Sequence, residues 1–119
     1  MDAAEVRAFL ATRPRAVLAL LDDGAPVGTI ADITVVGDEL AVGVSDAAAR
    51  GLLARDDRVC VVADQFPTYY EIRGVVAHGR ARDLETTGDR TTFRLSLDDV
   101  TSFDFAKLPR EGAGSGRAR

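Results

Sequence analysis

The chain has no tryptophan, one cysteine, one histidine and, in Lys107, one lysine among its 119 residues. Each scarcity excludes something. A single cysteine rules out an intrachain disulfide. One histidine and one cysteine leave no zinc-site spacing and no Ser-His-Asp or Cys-His arrangement to argue from. No apolar run approaches the roughly 18 residues of a membrane span. Basic charge is not in excess: the net charge is -4 and the pI about 4.9. That balance argues against nucleic acid as a partner, because such binding needs a basic surface to displace phosphate counterions. The opening "MDAAEVRAF" is acidic and lacks a signal-peptide pattern. With the lone thiol, this makes the reducing cytoplasm the expected compartment.

What remains is an ordinary globular balance, 46% hydrophobic and 29% charged. Without Trp, the core must come from Val, Leu, Ile and Ala. The length suits one domain, expected over residues 1–110, with the Gly-rich stretch 111–119 expected to be a disordered tail. A core this small gains from burying more surface against a second copy, so a homodimer is expected.

Along the chain, "DAAEVRAFLATR" reads as a helix. Asp2 caps it, Glu5 completes a capping box, and Val6, Phe9 and Leu10 share a face. "RAVLALLD" (15–22), "VGTIADITVV" (27–36) and "LAVGVS" (40–45) read as an antiparallel meander, with Asp-Gly as the first hairpin turn. "DAAARGLLAR" (46–55) is a second helix, capped by Ser45 or Asp46, with Leu52 and Leu53 facing the core. "RVCVVAD" (58–64) is the fourth strand. The fifth is the long run from Tyr69 to Leu84, "YYEIRGVVAHGRARDL", with room to bend or change sheets. Residues 91–105 supply the sixth, with a break near Asp98 and Asp99. The pattern predicts a mainly β fold, a six-stranded antiparallel barrel with two short helices.

Three stretches carry a family resemblance: "GAPVGTIADITVVGDELAVGVS", "AAARGLLARDDRVCVVAD" and "EIRGVVAHGRARDL", with "FRLSLDDVTSFDFAKLPR" as the closing strand. In their order and spacing they resemble the FMN-binding split barrel of the pyridoxamine 5'-phosphate oxidase-like superfamily, over residues 5–110. The resemblance implies a homodimer that holds FMN, or the deazaflavin F-420, in a groove between subunits. It also implies oxidation or reduction of a small molecule. The alternative it leaves is a flavin- or haem-binding protein without turnover. By the same resemblance the meander segment Thr29, Ile30 and Ala31 forms a flavin wall. Ser45 and Arg50 stand where the family grips the phosphate. Arg73 and Gly74 lie on the strand that lines the groove.

The departures are specific. The family's phosphate-binding Lys falls on Ala49, with Arg50 its neighbour, and the family's Gln near the flavin ring falls on Gly74. Arg50 either forks onto phosphate or pairs with Asp46 on a solvated face. Ser45 either meets a phosphate at the helix N-terminus or simply caps it, and Asp46 beside it opposes a phosphate. Alternation places Arg73, Val75, Ala77, Gly79 and Ala81 on one face, and Ile72, Gly74, Val76, His78 and Arg80 on the other. Gly74 and Gly79 mark either close approach of another group or a barrel bend. His78 is a haem-ligand candidate or a hydrogen-bonded surface residue, and Cys60 in "VCVVA" is expected to be buried and inert. Tyr69 and Tyr70 are expected to cover a flavin or to pack at the dimer interface.

Overall fold

The computed structural model describes residues 1–68 and 71–106, with the side chains of 1–64 and 73–102. Tyr69, Tyr70 and the tail expected at 111–119 lie outside the described residues. The elements run α1 (Ala3–Ala11), β1 (Arg15–Asp22), β2 (Ala25–Val36), β3 (Glu39–Val44), α2 (Ala47–Arg55), β4 (Arg58–Thr68), β5 (Glu71–Arg80), β6 (Arg82–Thr87), β7 (Arg90–Ser96) and β8 (Val100–Ala106). Among the described residues no helix is long and apolar enough to cross a membrane.

Local signals set these elements. The Asp2 carboxylate accepts from the Glu5 N–H at 2.8 Å and the Glu5 carboxylate accepts from the Asp2 N–H at 3.0 Å, closing the capping box. Asp23 and Gly24 both have positive φ, 54° and 88°. That is the backbone of a two-residue turn whose twist matches the flanking strands, so β1 and β2 pair in register from Asp22–Ala25 to Arg15–Asp32.

The strand count differs from expectation. Among the described residues there are eight strands in one antiparallel sheet, in the order β6-β7-β3-β2-β1-β4-β5-β8, not six. The two extra strands come from bends. The expected fifth strand breaks at Ala81 into β5 and β6, and the expected sixth breaks at 97–99 into β7 and β8. Asp83 has a positive φ of 56°, and the β6–β7 register shifts between Arg82 and Glu85, so the corner is a bulge.

These bends dictate the shape. In a flat sheet, six strand spacings of about 4.8 Å would put β5 and β6 roughly 29 Å apart. Ala81 alone connects them, and one residue spans at most about 3.5 Å. The sheet therefore curls until β5 approaches β7. A Cβ built on Gly79 of β5 would lie 3.3 Å from Leu95 Cδ1 of β7, and the His78 N–H donates to the Asp99 carbonyl at 3.1 Å. The glycine at 79 thus serves the closure of the barrel.

Inside, the alternating residues Ala16, Leu18 and Leu20, Ala31 and Ile33, Leu40, Val42 and Val44, Val59 and Val61, Val75 and Ala77, and Phe93 and Leu95 form one buried cluster. Val6, Phe9 and Leu10 of α1 join it, as do Ala49, Leu52 and Leu53 of α2. Each fully buried Leu or Val contributes about 1.5–3 kcal/mol of transfer free energy.

Two expected outcomes follow from this packing. Leu18 is 0% exposed. Leu18→Ala should lower the unfolding free energy by about 2–5 kcal/mol in urea titration, against about 0.5 kcal/mol or less for Thr34→Ala on the outer face. At the end of α2, Arg58 donates from Nη2 to Asp56 Oδ2 at 2.7 Å, and its backbone N–H donates to Oδ1 at 3.1 Å. The Arg58 side chain first, then its N–H, hold the Asp56 carboxyl down at about 2. A depressed folded-state value stabilises the fold above the unfolded value near 3.8, and that share is lost as pH falls through about 2. NMR titration should find Asp56 still ionised at pH 3. Asp56→Asn should remove the corresponding part of the stability loss between pH 4 and 2.

Candidate functional site

Register turns the outer surface into a grid. Ile30 of β2 lies opposite Val17 of β1, Val17 opposite Val62 of β4, and Val62 opposite Val76 of β5. The four form one apolar row on the solvent side. Ile30 is 61% exposed and Val17 42%. On one flank runs the row Thr92, Gly43, Asp32 and Arg15, and on the other Gly28, Ala19, Cys60 and His78. Neighbouring rows are two residues, roughly 7 Å, apart along each strand.

The predicted meander residues divide between the two faces. Ile30 alone points outward. Ala31 is 2% exposed in the core, and Thr29, half-buried, pairs with Leu18 on the inner side. β3 ends at Val44, and Ser45 follows it, ahead of α2. Ser45 is exposed and does not cap α2. Asp46 does, with its carboxylate accepting from the Ala49 N–H at 2.9 Å. Asp46 is thus committed to the helix. Arg50, one turn on, is half-buried and makes no ion pair with Asp46 or any other acid among the described residues, and its Nε is shut from solvent without a hydrogen-bond acceptor. Ala49, at the family's Lys position, is 2% exposed in the core.

Arg73 stands apart from this corner. It is on the inner side, and its guanidinium carbon lies 5.4 Å from the centre of the Phe9 ring. With Glu5, Ala8, Thr12 and Arg13 it lines a cleft of about 330 Å³ beneath α1. Gly74 is buried, on the outward side of β5, paired with Asp64 and Phe103. The two neighbours in sequence therefore serve opposite faces of the sheet, as alternation requires. Cys60 is half-buried, and burial pushes its thiol up, away from the reactive thiolate. His78 directs Nδ1 at Asp99 Oδ2, 3.3 Å away. Among the described residues no group of three or more His, Cys, Asp or Glu side chains could hold a metal ion.

One constellation has no signature in the sequence. Arg90, at the start of β7, folds back over Gly43 of β3, and its Nη1 donates to Asp32 Oδ2 of β2 at 2.8 Å. A Cβ on Gly43 would collide with the Arg90 guanidinium and lie 3.1 Å from its Nε. Further along, Glu39 takes Arg82 and Arg94 together, the latter at 3.2 Å, and Arg82 above all holds its carboxyl below the usual range.

No family model and no curated protein matches the sequence. Solved structures do. A FAD-binding protein of Mesorhizobium loti superposes with a TM-score of 0.77 at 15% identity, covering 90% of this chain and 96% of that one. The FAD and haem binding protein of Mycobacterium smegmatis gives 0.73 at 17%, covering 93% and 75%. A provisionally named pyridoxamine 5'-phosphate oxidase of Corynebacterium glutamicum gives 0.71 at 12%, covering 91% and 93%. Identities this low carry the fold alone: the chain shares the fold of these proteins.

Proposed function

We propose that the chain is a cytoplasmic, homodimeric flavin-dependent oxidoreductase acting on a small molecule, with FMN or the deazaflavin F-420 held where two copies meet. One observation carries this reading: the apolar row Ile30, Val17, Val62 and Val76 on the solvent side lies one row from Asp32 and Gly43, over which the cationic Arg90 is laid. A flavin has the same division, a flat ring system and an anionic tail. The similar structures whose names include FAD binding support the coenzyme class.

The residues present fit such a group. Arg50 Nε is a buried donor without an acceptor, and a phosphate oxygen would supply one. Ser45 offers an exposed hydroxyl between β3 and α2. Ile30 and Val17 give the ring an apolar wall, and a second copy laid on the row would exclude water from it. The coenzyme supplies the hydride chemistry when bound, and the side chains supply binding, orientation and a dry surface. That division suits a chain with no evident acid, base or nucleophile at the site.

A second reading, haem binding, is favoured by His78. Asp99 at Nδ1 is the arrangement that orients a metal-ligating imidazole, and it leaves Nε2 open beside the apolar row. A Soret band on haem addition, lost in His78→Ala, would select it.

The test is fluorescence titration of the full chain with FMN, FAD and F-420, beside sedimentation. One of the three should bind, and the loaded protein should sediment as a dimer. Reoxidation of the reduced, loaded protein by a small-molecule acceptor separates an enzyme from a carrier. Ile30→Glu should weaken coenzyme binding by about tenfold or more and leave the thermal melt near the parent's, since the side chain is 61% exposed. Failure of all three coenzymes to bind would sink the proposal.

A further inference from the structure

Arg90 is held in a way that a simple surface ion pair does not require. Val44 pairs with Thr91, so Ser45 and Arg90 come next in register. From there the Arg90 side chain does not reach outward into solvent. It turns across β3 and lies against the backbone of Gly43, in the space a side chain would fill. Its only hydrogen bond among the described residues is from Nη1 to Asp32, and the side chain remains 41% exposed. The other donors of the guanidinium are open. Asp32 is also paired across strands with Arg15, so Arg90, Asp32 and Arg15 together carry one net positive charge.

Glycine within a strand is unfavourable unless something must come close. At Gly43 the close group is a guanidinium. An exposed Arg–Asp pair by itself stabilises little, which leaves the sacrifice of a β-branched residue at position 43 without a structural reward. The gain is orientation. Asp32 holds one nitrogen of the fork, and Gly43 leaves the space the guanidinium occupies, one row from Ile30.

We propose that Arg90 grips the phosphate ester of the flavin coenzyme, with Asp32 as the positioning residue that lays it over Gly43. The proposal rests on the flavin-binding reading above and supplies the cation that Ala49 does not. An Arg fork meets two phosphate oxygens at once, where a lysine would offer a point charge.

The experiment compares FMN with riboflavin, which differ only by the phosphate, in fluorescence titrations of the full chain. The parent should prefer FMN. Arg90→Met, which keeps an aliphatic stem over Gly43, should weaken FMN binding by about tenfold or more, remove the preference, and leave riboflavin within about twofold. Arg90→Lys should fall between Met and parent, and serves if the Met variant melts early. For F-420 the same comparison uses its phosphate-free deazaflavin fragment. If both Arg90 variants bind the phosphorylated coenzyme as the parent does, or lose both ligands equally, the assignment of Arg90 is overturned and flavin binding stands. A parent with no preference for the phosphorylated form also overturns it. A parent that binds none of these ligands overturns the flavin reading and this assignment together.

Discussion

Ala81, the single residue between β5 and β6, joins the first and seventh strands of the sheet order. Everything else in the architecture answers to that short connection. Two strand ends that far apart in a flat sheet can be neighbours in the chain only if the sheet closes. Curling brings the two sides of the sheet together while β6 and β8 remain its edge strands. It also shrinks the interior, which explains a core of Leu, Val and Ala with Phe93 as its largest fully buried side chain. Gly79 belongs to the same constraint, since a Cβ there would press on Leu95 of the opposite wall.

The interior of the curled sheet is filled by the buried cluster of Leu, Val, Ala and Phe side chains, so the proposed coenzyme would have to use the outer face or the ends. The α1 end is occupied by Phe9 and Leu10, and Arg73 is laid against Phe9 there. The outer face of β1, β2, β4 and β5 carries the apolar row, with arginines at its β3–β7 margin. The site and the fold thus share one cause: the period of two that fills the interior with alternate residues delivers the others, already aligned across strands, to the surface.

The local features were legible. The capping box at Asp2 and Glu5, the Asp-Gly turn, the six runs of strand-forming residues and the alternation from Ile72 to Arg82 depend on neighbours within a few positions. The bends were foreshadowed at both places but not their consequence. Nothing in "GRARDL" announces that Asp83 takes a positive φ or that the pairing partner changes there. The proposed site draws on both sources. Ser45, Arg50 and Ile30 enter it by resemblance to a known fold. Alternation read from the sequence already set Arg73 and Gly74 on opposite faces of the strand, and the pairing of β5 keeps them there. Arg90 and Asp32, 58 positions apart, meet only because β2, β3 and β7 are adjacent in the closed sheet.

The acidic balance of the chain looks at odds with an anionic coenzyme, and the conflict dissolves on distance. Charges in solution are screened beyond about 8 Å at physiological ionic strength, so net charge governs approach of a long polyanion but not the grip on one phosphate. At the corner the local count is what matters: Arg90 and Arg15 outnumber Asp32, and Asp46 has its carboxylate turned to the Ala49 N–H. Glu39 is satisfied by Arg82 and Arg94 further along the sheet. The acids that could repel an anion are thus each tied to a partner, and Arg90 keeps open donors. A chain with net charge -4 can in this way still offer a cationic point at the end of an apolar wall.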